Sequence, residues 1–283
     1  DYLVVAVGAS VNFFGNASLE RHALPLKDIG DAVTIRNHVL RMFELAAHEP
    51  DVRKRQALLT FVGVGGGPTG VESAGALSEL IRLVLRRDYR TINVDNVRVI
   101  LMESAPAILA GFPQSLQAAA RKSLEKKRVD VRVETKVVNY DGDKLILDNG
   151  EIIPARTVLW SAGVQAASLT AKLGVEQARG GRLRVLPTLQ VPGHPEVFVI
   201  GDAAYLEENG TALPMVAQVA MQQAQTVAEN ILAGLAQRQP RPFHYRNLGV
   251  MATIGRNAAV ACVFGVKSSG YLAWIVWLTI HLI

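Results

Sequence analysis

Glycines 65, 67 and 70 in Gly65-Gly66-Gly67-Pro68-Thr69-Gly70 have the spacing of a turn that closes on a pyrophosphate. A side chain there would hold the anion away from the backbone. The helix that follows adds N–H groups and a positive dipole end. Glu103 ends Val97–Met102, a strand pattern rich in β-branched residues, where a carboxylate can accept hydrogen bonds from the adenosine ribose of a dinucleotide. The same charge repels a 2′-phosphate, so NAD(H) is favoured over its phosphorylated form. Its separation from the glycines exceeds the usual ~20 residues, because Asp88–Asn96 intervenes. Glu72 falls in the first turn of the glycine-turn helix, favourably placed against the helix dipole. Further on, Gly201-Asp202 closes a second apolar run, Val197–Ile200. Gln218 and Gln222 follow, four residues apart and therefore on one face of a helix.

These residues need elements to hold them. Leu3–Val7 reads as a buried strand closed by Gly8-Ala9, residues 11–25 as loop, and Lys27–His48 as a helix stopped by Pro50. Arg53, Lys54 and Arg55 read as a solvated connection. Strand Leu58–Val64, the glycine turn, a helix from Thr69 to Arg87 and strand Val97–Met102 compose the start of a right-handed βαβ unit. A helix over Gln114–Lys127 precedes antiparallel strands over 129–153, with turns at Asp141-Gly142 and Asn149-Gly150. Strand Thr157–Trp160 ends in Ser161-Ala162-Gly163, an echo of Val7-Gly8-Ala9. A helix over Pro214–Ala236, opened by its proline, a linker over 237–242, and strands Val250–Ile254 and Ala258–Phe264 complete the pattern before Tyr271–Ile283, an apolar helix.

The chain has 283 residues, 49% of them hydrophobic and 19% charged, which calls for a packed core and argues against global disorder. The net charge of +5 would suit nucleotides, anionic lipid or nucleic acid, but no nucleic-acid motif accompanies it. One cysteine, Cys262, set in an apolar run, leaves no internal disulfide, CxxC pair or cysteine zinc site within this chain. No residue cluster suggests a metal. The terminal helix is shorter than the ~20 residues a span requires. With Trp274 and Trp277 suited to a membrane interface, it reads as a helix lying on lipid. The opening Asp1-Tyr2 and the uncapped end at Ile283 read as the limits of a fragment.

The order of Gly65–Gly70, Gly201-Asp202 and Ala217-Gln218-Val219-Ala220-Met221-Gln222-Gln223 resembles the type II NADH:quinone oxidoreductases. That resemblance implies an α/β fold with two Rossmann-like dinucleotide-binding domains, the FAD one incomplete, and a small C-terminal membrane-associating region. Residues 1–10 would be a remnant of the FAD domain, 11–162 the NADH domain, 163–242 the rest of the FAD domain and 243–283 the membrane region. The cofactors implied are FAD and NAD. By the resemblance Gly65, Gly66, Gly67, Pro68, Thr69, Gly70, Glu103, Ala162 and Gly163 serve NAD, while Gly8, Ala9, Gly201, Asp202, Ala217 and Gln218 serve FAD. Asp202 would bond a ribityl hydroxyl. Gly8-Ala9 and Ala162-Gly163 would be the crossovers between domains.

Gln218, Met221 and Gln222 would form the quinone side, their amides bonding quinone carbonyl oxygens, and Glu72 would assist proton delivery. NADH, ubiquinone or menaquinone, and a lipid surface are the implied partners, with a homodimer left open. The implied activity passes hydride from NADH to FAD and two electrons to quinone, without proton pumping, in a peripheral membrane protein on the cytoplasmic or matrix face of a respiratory membrane. A first glycine motif for the ADP part of FAD would precede residue 1. The lone cysteine argues against the similar sulfide:quinone oxidoreductases. A non-catalytic, NADH-binding, membrane-associated fragment is the other alternative.

Overall fold

A computed structural model describes residues 1–282, with side chains through residue 280; Ile283, counted above in the terminal apolar helix, lies outside the described residues. The chain forms two compact units. One comprises Asp1–Asn12 and Val164–Leu248, the other Phe13–Gly163 and the chain from Gly249 onward.

The second unit is built on a parallel sheet ordered Leu24–Pro25, Thr157–Trp160, Thr60–Val64, Arg98–Met102, Val129–Arg132. Thr60–Val64 is central and buried throughout, as a parallel strand covered on both faces must be. It pairs in register with Arg98–Met102 (Val62 opposite Ile100) and with Thr157–Trp160 (Val62 opposite Val158). The glycine turn leaves its C-terminal end, where the chain order of neighbouring strands reverses and ligands of open α/β sheets bind. Core side chains include Phe43, Phe61, Ile81, Leu101 and Leu124.

Several local readings change. Residues 11–25 are not all loop: Asn16 accepts from the Ser18 and Leu19 N–H groups and caps the helix Ala17–His22, and Leu24–Pro25 joins the sheet edge. The basic run lies in a helix, Val52–Leu58, capped by Asp51. Within 129–153 only the later strands are antiparallel. Val129–Arg132 joins the parallel sheet, whereas Val137–Tyr140, Lys144–Leu147 and Ile152–Pro154 form the meander. Its two turns are those expected, with Gly142 and Gly150 at positive φ and Asp141 and Asn149 accepting from the backbone beyond them.

After Gly249 the unit adds a three-stranded antiparallel sheet, Gly249–Thr253, Ala259–Val263 and Val266–Gly270, then the helix Tyr271–Leu282. The third strand was not expected, because Val266–Gly270 carries little apolar alternation. Among the described residues no helix is long and apolar enough to cross a membrane.

In the first unit Leu3–Val5 runs parallel to His194–Val199, which pairs antiparallel with Gln190–Val191. Ala9–Val11 pairs antiparallel with Val164–Ala166, so the segments just after the two echoing sequences form one ribbon. The helix Ala217–Leu235 contributes Val219 and Val227 to a core with Leu189, Phe198, Leu206, Leu213 and Phe243. Pro214 does not open it; the helix starts after Val216, and Pro214 accepts from the Val216 N–H.

Candidate functional site

The glycine turn divides its labour among its residues. Gly65, at φ +111°, lies so close to Ser161 that a Cβ would sit 2.6 Å from its carbonyl carbon. At Gly70 a Cβ would fall 1.7 Å from the Gly65 carbonyl oxygen, and at Gly66 2.9 Å from Glu103 and Ile108. These three glycines let strand and helix meet. Gly67 differs: its backbone is ordinary, and a Cβ there would meet nothing within 4 Å. It caps the helix Pro68–Glu79 without any side-chain hydrogen bond, and Pro68 takes the first position, where a missing N–H costs nothing. Open space at the dipole's positive end, with first-turn N–H groups lacking helical partners, fits a pyrophosphate.

Glu103 is built into this turn. Its Oε2 accepts from the Gly66 N–H at 2.6 Å, and its Oε1 accepts from the Ala105 N–H at 2.8 Å and the Ser104 hydroxyl at 3.1 Å. The carboxylate therefore positions the glycine turn, and with about four lone-pair sites it retains capacity for a ribose hydroxyl. Ala162 is exposed. Gly163 packs against Phe14, 2.7 Å from where its Cβ would be. Phe13 stacks on Trp160 at 5.8 Å beside the same segment.

Glu72 turns towards the strand after Gly249: its Oε1 accepts from the Thr253 N–H at 3.0 Å. Two turns on, both carboxylate oxygens of Glu79 accept from the Arg256 N–H, and one pairs with Lys127. Gly75 lies between them, its missing Cβ 2.9 Å from the Gly255 N–H. Gly75 thus seats the helix on the chain just after the strand Gly249–Thr253, with a carboxylate bond on either side of the contact.

In the first unit the turn Gly201–Ala203 follows His194–Val199, with Gly201 at φ +67° and Asp202 half-buried. The three glutamines of the seven-residue signature have separate partners. Gln218 Oε1 accepts from the Leu248 N–H at 3.2 Å and the Tyr245 hydroxyl at 3.3 Å. Gln222 donates to the Arg246 carbonyl at 2.9 Å and accepts from its N–H at 3.0 Å. Gln223 Oε1 accepts from the Gly201 N–H at 2.6 Å. Gln218 and Gln222 hold the irregular segment 245–248 along the helix, a role the sequence did not suggest. Met221 is 72% exposed, and Ala217 is exposed at the helix start, where no side chain caps the N–H groups. Gly8 has φ +67° with open space at its Cβ position, and Ala9 begins the ribbon strand.

Two residues escaped the sequence reading, Gln223 and Arg182. Gln223 stands midway between Val219 and Val227 on the inner face, and a polar residue on an apolar stripe was the available signal. Arg182 had no such signal. It is 7% exposed, donates from Nε to the Ala204 carbonyl at 2.8 Å and from Nη1 to the Leu213 carbonyl at 3.0 Å. Burial pulls its pKa down, while the nearby Asp202 and Tyr205 oppose that shift.

On the terminal helix Trp274 stacks on Tyr271 at 5.9 Å and packs on Ala259, Ala261 and Ala273. Both tryptophans are part-buried. Among the described residues the outward apolar side chains include Tyr271, Leu272, Ile275, Val276 and Ile280, joined in exposure by Phe264 and Val266 at the strand turn. Among the described residues no cluster could hold a metal.

The model of the pyridine nucleotide-disulphide oxidoreductases matches residues 1–224. The chain belongs to this family. It is 40% identical, over its whole length, to the type II NADH:quinone oxidoreductase Ndh of Mycobacterium tuberculosis, and spans 62% of that protein. It is 36% identical to the internal alternative NAD(P)H-ubiquinone oxidoreductase A1, mitochondrial, of Arabidopsis thaliana, again over the whole chain and 59% of the relative. The structure of NDH2 from Plasmodium falciparum in complex with NADH superposes with a TM-score of 0.91 at 19% identity, covering all of this chain and 73% of that one. That likeness shows the expected α/β dinucleotide-binding fold. The resemblance to type II NADH:quinone oxidoreductases is borne out by the names of the relatives.

Proposed function

We propose that the protein carrying this chain is a type II NADH:quinone oxidoreductase that uses FAD. The observation that carries the reading is the glycine turn, with Gly67 open at a helix N-terminus, in a chain 40% identical to an NADH:quinone oxidoreductase. FAD, when bound, would supply the chemistry that takes hydride from NADH and hands two electrons to quinone. The chain's own residues bind and orient. Gly65–Gly70 receive the NADH pyrophosphate, and Glu103 takes the ribose while disfavouring a 2′-phosphate. Gly201-Asp202 holds the flavin ribityl chain, and the uncapped start of the helix Ala217–Leu235 offers positive dipole charge to an anionic ring. Exposed Ala162 and the open Gly8-Ala9 segment leave room for the cofactors, whereas Gly163 makes room for Phe14.

For Gln218 and Gln222 the quinone role now requires that their amides serve the ligand in addition to, or in exchange for, the segment 245–248. Met221, exposed between them, adds apolar contact. Glu72 is the candidate for passing a proton towards quinone, with Thr253 fixing its carboxylate.

The outward apolar side chains of Tyr271–Leu282, with Phe264 and Val266, are proposed to rest on a lipid surface where quinone is dissolved. Trp274 and Trp277 back that face from within. The test is turnover by the protein at its full natural length: NADH consumption that depends on added ubiquinone or menaquinone, is stimulated by lipid vesicles and accompanies stoichiometric FAD. NADH consumption indifferent to quinone would reject the assignment.

A further inference from the structure

The apolar stripe of the helix Ala217–Leu235 is interrupted by Gln223, whose side chain is 1% exposed between Val219 and Val227. A buried amide is costly unless it is bonded, and this one is spent on a single backbone group. The strand His194–Val199 makes its last ladder bond from Ile200 N–H to the Val5 carbonyl. The next residue, Gly201, turns into the left-handed region at φ +67° and leaves the ladder. Its N–H is taken by Gln223 Oε1 at 2.6 Å. One helical turn earlier, Ala220 fills the space beside the same glycine, its Cβ 3.3 Å from where a Gly201 Cβ would be. Helix and turn therefore fit at two points, one steric and one polar. The far end of the turn is held by Arg182, which donates to the carbonyls of Ala204 and Leu213. Asp202 stands between these two buried anchors.

From this geometry we infer that Gln223 is a positioning residue: it fixes the Gly201-Asp202 turn against the helix that carries Gln218 and Gln222, and so sets how tightly that turn holds flavin. The inference rests on the flavin reading of Asp202. The amide bond removes the freedom of the one glycine about which the turn could swing. It also locks the register of the signature helix to the flavin turn, since Gln222 and Gln223 are adjacent. The signature glutamines thus divide between two tasks, Gln223 gripping the cofactor turn and the other two facing the segment 245–248.

The test uses the protein at full length, stripped of flavin and titrated with FAD. Gln223→Leu removes the acceptor at similar volume and is expected to raise the FAD Kd about tenfold, the loss of one buried hydrogen bond. Gln223→Glu keeps an oxygen at the same reach and is expected to restore affinity to within about threefold. Asn230→Leu is the control. Asn230 is buried on the same helix but bonds Thr188 and Arg241, away from the turn, so FAD affinity should stay at the parent value. Gln223→Asn, one methylene shorter, withdraws the oxygen while keeping the amide, and carries the test if the leucine variant does not fold. Parent-like FAD affinity in Gln223→Leu or Gln223→Asn overturns the inference. So does an equal loss in Asn230→Leu, which would reduce the effect to helix stability. A parent that binds no FAD overturns the flavin reading and this inference together, whereas a flavin-binding parent with indifferent variants overturns this inference alone.

Discussion

Gly67 and Gly70 stand three residues apart in one turn, and substituting each should have opposite consequences. At Gly70 a Cβ would lie 1.7 Å from the Gly65 carbonyl oxygen, where ordinary contact begins at 3.4 Å, and the obstacle is backbone. Helix and strand would have to part by more than an ångström. Overpacking of this kind costs about 3 kcal/mol or more, equivalent to roughly 6–12 °C in Tm at the ~2–4 °C per kcal/mol of a domain this size. At Gly67 the new methyl meets nothing, and the backbone (φ −69°, ψ −179°) suits any residue. The remaining penalty is a poorer helix cap, about 1 kcal/mol. Yet a side chain at Gly67 would occupy the place proposed for the pyrophosphate, and forfeiting one or two charge-assisted hydrogen bonds at ~1.5–3 kcal/mol each should weaken NADH at least tenfold. Gly67→Val should therefore melt within a few degrees of the parent while binding NADH at least tenfold more weakly, and Gly70→Ala should melt far lower. Calorimetric NADH titration beside thermal melts reads both quantities. A Gly67→Val protein that binds NADH as well as the parent refutes the assignment of this turn.

Glu103→Gln keeps an oxygen for the Gly66 N–H but discards the charge, so the preference for NADH over NADPH should shrink about tenfold, read as the ratio of the two kcat/KM values. Glu72→Gln preserves an acceptor for the Thr253 N–H; flavin reduction by NADH should stay at the parent rate while quinone-dependent reoxidation slows, and stopped-flow absorbance separates the two half-reactions. Gln218→Ala should raise the KM for quinone and spare flavin reduction, whereas equal losses in both would mean the side chain serves only the segment 245–248. His38 has its Nε2 3.1 Å from the Arg156 carbonyl and 3.0 Å from the Thr157 hydroxyl, and burial, with Arg41 and Arg156 nearby, lowers its pKa below 6.5. The fold favours the neutral ring, so its contribution is present above pH 6.5 and is lost as pH falls through that value towards the depressed one. The drop in Tm between neutral pH and pH 5 should be smaller in His38→Gln than in the parent.

The parallel core was legible because its strands are short unbroken apolar runs, Phe61–Val64 and Val99–Met102, separated by a glycine turn with one structural meaning in that position. The short helices at Ala17 and Val52 were missed because each is announced only by its cap, Asn16 or Asp51, with no apolar stripe behind it. Val129–Arg132 was assigned to the meander because its alternation suits either kind of sheet, and only tertiary pairing decides. At the candidate sites the backbone-shaping residues, Gly65, Gly70 and Gly201, could be read from type and spacing. Side-chain partners could not. Glu103 reaches back to Gly66 across 37 residues and Gln222 forward to Arg246 across 24, and no local pattern records such distances. Arg182 shows the limit most clearly, since nothing in Arg179-Gly180-Gly181-Arg182-Leu183-Arg184 distinguishes it from its two neighbouring arginines, and only the fold encloses it.

Coupling of NADH to quinone through flavin on one protein leaves a spectroscopic record. It is tested most directly by recording the visible flavin spectrum of the full-length protein in lipid during a sequential addition. NADH is expected to bleach the flavin band, and quinone, added under anaerobic conditions, to restore it with one quinone reduced per NADH consumed. A flavin band that NADH leaves untouched, or that quinone fails to restore, would contradict that coupling.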